Sequence, residues 1–215
     1  MIANPDHFVA TSYLRYLSWG LSDKAAAVRL ETLRVLTSLF EIENQPNGLR
    51  QYIVRVIGRL VEMAVGESDT HARLGAIRVA TLIHKHGQLE EEDQVQLSTL
   101  IFGANAKVRK SLAKFIKARV WEDEVESRMA GCELLAQGKG NVVKKDWVEL
   151  KSLVCFLIKV GKEAEKKESA TQDDVQANVT GTRLFDESKV GRIAMAMEAL
   201  WSEIDVLKVC NPHPM

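Results

Sequence analysis

Val28-Arg29-Leu30-Glu31-Thr32-Leu33-Arg34-Val35-Leu36 reads as the start of a helix, and Ala72-Arg73-Leu74-Gly75-Ala76-Ile77 and Val108-Arg109-Lys110-Ser111-Leu112-Ala113 begin the same way. Each opens with a small apolar residue followed by arginine. Four residues beyond the arginine stand Leu33, Ile77 and Ala113; seven beyond stand Leu36, Ala80 and Ile116. Steps of three and four put these side chains on one helix face. The arginines lie 44 and then 36 residues apart, which brackets the period of about 40–47 residues found in stacked helical hairpins. A single hairpin leaves an apolar face that only a neighbouring hairpin covers, and the repeated arginine can bridge to an acidic or carbonyl group of the adjacent unit.

Outward from these starts, helical periodicity continues almost everywhere. A first helix is expected over Ser12–Leu21, ended by Ser22-Asp23, whose aspartate is expected to cap a second helix over Lys24–Phe40. That second helix places Val28, Leu33, Leu36 and Leu39 on one side. After the turn cluster Asn44-Gln45-Pro46-Asn47-Gly48, a third helix spans Leu49–Val65 and a fourth about Asp69–Lys85, with Gly87 near its end. A fifth begins in the acidic run Glu90–Asp93, whose charge suits the positive end of the helix dipole, and ends near Phe102. Asn105 caps a sixth, which runs to Val120; a seventh covers Glu122–Ala136, an eighth Lys144–Lys167 and a last Ser188–Val209. The fold class is therefore all-α, a HEAT/armadillo-like helical repeat solenoid, a right-handed superhelix of antiparallel helix pairs. Residues 1–137 form the repeats, and 138–215 a further helical hairpin with a long polar loop near 168–187.

Composition agrees with long helices and few turns. Among 215 residues only 13 are glycine and 4 proline, fewer than many tight sheet turns require. The 29 basic residues balance 29 acidic ones, so any contact with nucleic acid has to come from a local patch. Cys132, Cys155 and Cys210 are scattered, without a CxxC pair, which suits a reducing compartment. No apolar run reaches the ~18 residues of a membrane span, and the opening residues show no secretory pattern. A nuclear or cytoplasmic location is expected.

Two patterns are candidate binding surfaces. In the first helix Arg15, Tyr16 and Trp19 share one side at three- and four-residue spacing. Aromatics beside a guanidinium suit the anchor of an aromatic peptide; equally, these rings can fill the space between repeats. Lys107, Lys110, Lys114 and Lys117 follow a 3-4-3 spacing, with Val108, Leu112, Phe115 and Ile116 on the other side. Such a stripe can lie along a phosphate backbone without reading bases; its plainer role is a solvated face. Lys159, Lys162, Lys166 and Lys167 alternate with Glu163, Glu165 and Glu168 and are read as solvated. His84 and His86 point to different faces, so metal is not expected there. No Ser/His/Asp grouping, phosphate-cradling glycine loop or dinucleotide fingerprint is present. Neither catalysis, nor a cofactor, nor a small-molecule substrate is expected.

Ser12-Tyr13-Leu14-Arg15-Tyr16-Leu17-Ser18-Trp19-Gly20-Leu21-Ser22-Asp23-Lys24, followed by Ala27–Leu30 and Leu33–Leu36, resembles the core of the stromalin conservative domain of the stromalin (stromal antigen) family. The likeness continues through Val54–Met63 and Ile77–Leu82, and more loosely to Glu198–Glu203. It implies a fragment of a much longer HEAT-repeat subunit of cohesin, located in the nucleus on chromosomes. Such a subunit docks on the kleisin, helps hold DNA, and accepts short aromatic motifs from regulators in sister-chromatid cohesion. Carried over by position, the aromatic-motif surface uses Arg15, Tyr16 and Trp19, with Arg55 of the third helix beside them. Val56, where many relatives carry an aromatic residue, is expected in the wall of that pocket. The repeat pattern alone leaves another HEAT or armadillo scaffold open, such as a nuclear-transport or phosphatase-scaffold segment.

Overall fold

A computed structural model describes residues 11–42, 47–103, 105–120, 145–172 and 187–201. Every regular element among them is helical: α1 (Thr11–Leu21), α2 (Ala26–Phe40), α3 (Asn47–Gly66), α4 (Thr70–Lys85), α5 (Glu91–Thr99), a 3-10 turn at Leu100–Phe102, α6 (Ala106–Val120), α7 (Lys145–Gln172) and α8 (Glu187–Trp201). The chain divides into two compact units, Met1–Leu100 and Ile101–Met215.

In the first unit α1 pairs with α2 and α3 with α4, each pair a hairpin closed by a short turn. The hairpins stack in register, with α1 against α3, α3 against α5, and α2 against α4. Periodicity explains which faces meet. Leu14, Leu17 and Leu21 of α1 are buried, as are Leu33, Leu36, Leu39 and Phe40 of α2. Ile53, Val56, Leu60, Val61 and Ala64 of α3 and Ala76, Ile77, Val79, Ala80 and Ile83 of α4 complete the core. Two glycines mark close helix approaches. A Cβ on Gly20 of α1 would collide with the Thr32 hydroxyl of α2, and one on Gly75 of α4 would come within 3.1 Å of Leu33 Cδ1.

The helix ends follow local chemistry. Asp69 caps α4 by accepting from the Ala72 N–H at 2.8 Å, and Asn105 Oδ1 accepts from the Lys107 and Val108 N–H groups at the start of α6. At the other end of α4, Gly87 takes φ +65°, and the Gly87 and Gln88 N–H groups donate to the His84 and Ile83 carbonyls. That is a Schellman closure, which requires a left-handed residue.

Three expectations change. Asp23 does not cap α2: its carboxylate accepts from the Ala25 N–H at 2.8 Å, and α2 begins later, at Ala26, with no side-chain cap. Val28 is 43% exposed, because it precedes Leu33 by five residues and so lies about 140° from that stripe. The polar loop expected over 168–187 does not begin at 168, since α7 continues to Gln172. Its Glu-, Lys- and Ala-rich end consists mostly of good helix formers. The remainder of that loop, the helix expected over Glu122–Ala136 and the boundary expected at 137/138 lie outside the described residues.

In the second unit α6 packs against both α7 and α8. Leu112, Phe115 and Ile116 of α6 are buried, as are Leu153, Phe156, Leu157 and Val160 of α7 and Ala196 and Leu200 of α8. Arg119 is buried with its guanidinium 5.1 Å from the Phe156 ring. A delocalised, weakly hydrated cation tolerates that environment better than an ammonium does.

Candidate partner-binding surface

The spacing that buries Leu14, Leu17 and Leu21 turns the aromatic residues of α1 outward. Trp19 is 63% exposed and Tyr16 52%, so neither fills the space between hairpins. Their rings meet edge to face, with centroids 5.2 Å apart at 87°. The Arg15 guanidinium lies 5.2 Å from the Tyr16 ring and 5.8 Å from the Trp19 ring. Each such cation–π contact contributes about 0.5–1 kcal/mol at an exposed site, which favours this arrangement of the three side chains.

Arg15 also faces a small cleft between α1 and α3. Leu14, Arg15 and Ser18 line one wall, and Gly48, Gln51, Tyr52 and Arg55 line the other. Two guanidiniums face the cleft, and its described lining contains no carboxylate. The cleft therefore carries positive potential over an apolar floor, which suits an anionic group attached to an apolar one. The Ser18 hydroxyl donates to the Tyr52 hydroxyl at 3.3 Å across the two helices. Burial pushes the Tyr52 phenol up to about 12, a rise that the Ser18 hydrogen bond partly opposes.

Arg15 and Arg55 thus lie on one cleft, and Arg15 joins that cleft to Tyr16 and Trp19. Val56 does not line it: this side chain is 2% exposed and packs in the core. Tyr52, one helical turn earlier, supplies the aromatic wall. Sequence reasoning missed Tyr52, Ser18 and Gln51. Tyr52 is detectable in principle, because it precedes buried Val56 by four and so shares its side of α3, at the rim of the interface.

The other patterns lie on other helices. Lys107, Lys110 and Lys114 are exposed along α6 and Lys117 is half-exposed, while Val108, Leu112, Phe115 and Ile116 are buried. The lysine face and the apolar face of α6 are thus cleanly divided. His84 is buried, and His86 Nε2 is 2.9 Å from the Phe40 carbonyl, a geometry in which that nitrogen donates. No group of three potential metal ligands occurs among the described residues. No described helix is long and apolar enough to cross a membrane.

The repeated arginines bind backbone or carboxylate at hairpin turns. Arg29 donates through Nε and Nη2 to the two Glu67 oxygens at 2.8 and 2.7 Å, and through Nη1 to the Asp23 and Lys24 carbonyls. Arg73 donates to the Ala64 carbonyl at 2.7 Å, and Arg109 to the Gly103 carbonyl at 2.8 Å. Of the three, only Arg29 reaches the next hairpin, while Arg73 and Arg109 bond within their own; stacked antiparallel hairpins with an arginine recurring near the helix start define a HEAT-type helical repeat protein.

The stromalin conservative domain matches residues 1–56. The cohesin subunit psc3 of Schizosaccharomyces pombe is 32% identical over 125 residues, covering 58% of this chain and 13% of that protein. Sister-chromatid cohesion protein 3 of Arabidopsis thaliana is 28% identical over 116 residues, covering 54% of this chain and 10% of that protein. Among solved structures, residues 88–1035 of the cohesin subunit Scc3 from Z. rouxii superpose with a TM-score of 0.67 at 22% identity, covering 92% of this chain and 21% of that one. Residues 1–56 thus match the stromalin conservative domain, and more than half of the chain is similar to cohesin subunits. The matched regions span 10–13% of the length of these curated relatives.

Proposed function

We infer that the chain is a non-catalytic scaffold segment of a cohesin subunit, acting in sister-chromatid cohesion and chromosome segregation on nuclear chromosomes. It serves as a docking surface for the kleisin and for regulator peptides, and it touches DNA through a separate basic helix. The observation that carries this is the outward-facing Arg15–Tyr16–Trp19 cluster, continuous with a cleft lined by Arg15 and Arg55. Large exposed aromatics beside a guanidinium offer a partner apolar area and positive charge at one place. The occupant that fits is a short peptide with an aromatic anchor and a neighbouring carboxylate. Its ring packs on Trp19 and Tyr16, and its carboxylate meets the two guanidiniums.

A Phe-Asp-Phe peptide titrated against the protein, followed by tryptophan fluorescence and calorimetry, tests this. Trp19→Ala is expected to weaken binding by about 30-fold or more, the loss of a hot spot worth about 2 kcal/mol. A Phe-Lys-Phe peptide is expected to bind more weakly than Phe-Asp-Phe, by an amount that shrinks with salt. Equal affinity of Trp19→Ala and the native chain sinks the assignment. On α6, the exposed lysines Lys107, Lys110 and Lys114, with Lys117, supply positive charge at regular spacing for non-specific contact with phosphates.

A further inference from the structure

We propose that Arg29 and Glu67 are the positioning pair of the α1–α3 cleft: their ion pair locks the first hairpin onto the second and sets the spacing at which Arg15 and Arg55 face one occupant. The idea that the cleft is a binding site rests on the function inferred above; the clamp itself rests on geometry. Arg29 sits at the start of α2, where its Nη1 holds the Asp23 and Lys24 carbonyls at 2.7 and 3.0 Å, fixing the turn that joins α1 to α2. Its remaining donors hold both oxygens of Glu67, at the turn that joins α3 to α4. Glu67 is fixed in turn, since it also accepts from the Asp69 N–H at 3.1 Å and the Ser68 hydroxyl at 3.3 Å. One guanidinium therefore ties the two hairpin turns together. Both side chains are largely shielded, with 12% and 6% of their surface exposed, so water competes weakly for the bonds.

The rest of the α1–α3 contact gives the hairpins less reason to keep one angle. The Ser18–Tyr52 hydroxyl bond is long, at 3.3 Å, and the cleft itself is unfilled space between the two helices. Apolar packing is not directional, whereas a bidentate arginine–carboxylate pair adds a defined geometry to it. Glu67 and Tyr52 are separated by most of the length of α3, about 20 Å, so a tilt of about 5° at the clamp moves the cleft wall by about 2 Å. A shift of that size separates a carboxylate from one of its two guanidiniums.

The test uses the full chain with Glu67→Gln, which keeps the size of the side chain and removes its charge, and with Arg29→Lys as a second variant. Spin labels at Tyr13 on α1 and Val54 on α3, with Cys132, Cys155 and Cys210 replaced by serine, report the spacing of the two helices. Affinity for the Phe-Asp-Phe peptide is measured on the same variants without labels. Both are expected to retain native helicity, to broaden or shift the label distance by about 2 Å, and to bind the peptide about fivefold or more weakly, a loss near 1 kcal/mol. Glu62→Gln, which breaks the exposed pair with Arg59 on the same helix, is expected to change neither. A purely structural pair would lower the melting temperature and leave spacing and affinity as they were; that result overturns the proposal. Failure of the native chain to bind any such peptide overturns the peptide site instead, and the label distances still decide the clamp.

Discussion

At the scale of single residues, the strongest electrostatic contact described is the one between Arg29 and Glu67. The hydrogen bonds from Arg29, with a further one from the Asp69 N–H, hold the Glu67 carboxyl below the usual carboxylate range despite its burial. The same pair raises Arg29, chiefly through its hydrogen bond to Glu67. Folding therefore favours ionised Glu67. Its contribution is complete above the ordinary glutamate value of about 4.3 and is lost as pH falls below it toward the folded value. Glu67→Gln is expected to cost about 2 kcal/mol at neutral pH, in the range for hydrogen bonds to charged groups. Urea melts of both proteins between neutral and acid pH should show that gap narrowing; a gap independent of pH argues that packing, not charge, makes the contact. Tyr52 has the opposite dependence. With its phenol raised from 10.0 to about 12, folding favours the neutral form. Stability from this group is intact below pH 10 and falls as pH rises through the folded value. Absorbance titration should show one fewer phenolate forming near pH 10 in the native chain, a deficit that Tyr52→Phe removes.

At the scale of elements, two glycines do different work. Gly20 lets α1 approach α2, and a methyl there meets the Thr32 hydroxyl. Gly20→Ala is expected to cost about 1–3 kcal/mol through overpacking, and Thr32→Ala in the same chain should recover part of it, a coupling readable in a double-mutant cycle by thermal melts. Gly87 has open space around it but a φ of +65°. Gly87→Ala is expected to cost about 1–2 kcal/mol through the left-handed backbone alone, with no neighbour able to relieve it. The helices that contain or precede these glycines were legible from three- and four-residue apolar spacing, and the Asn105 cap from residue type and position. Asp23 was not. An aspartate before a helix can bond to any of several nearby N–H groups, and here Arg29 pulls the adjacent carbonyls into a turn that leaves Asp23 outside the capping position.

At the scale of the whole molecule, a formal charge of zero coexists with two local concentrations of positive charge, each within its own unit: the cleft of Arg15 and Arg55 and the exposed lysines of α6. Nucleic-acid affinity should therefore depend on α6 and not on total charge. Lys110→Glu with Lys114→Glu is expected to weaken binding to duplexes of unrelated sequence about equally, and to lower the salt slope by about 0.9 for each phosphate no longer neutralised. Selective weakening for one sequence would contradict backbone binding. Trp19→Ala, in the other unit, is expected to leave this DNA affinity unchanged while weakening peptide binding.

Apolar periodicity, the arginine repeat and the segment from Ser12 to Lys24 determined by themselves that this chain is helical, that its hairpins stack, and that it resembles the stromalin conservative domain. These are properties of residue spacing along one helix, where geometry is fixed by about 1.5 Å and 100° per residue. Tertiary structure alone decided that Trp19 faces solvent, that Tyr52 and not Val56 walls the cleft, and that Arg29 reaches Glu67. Each depends on how one helix is placed against another. That placement is set by side-chain volumes and bonds between residues 34 and 38 positions apart, which no local spacing records.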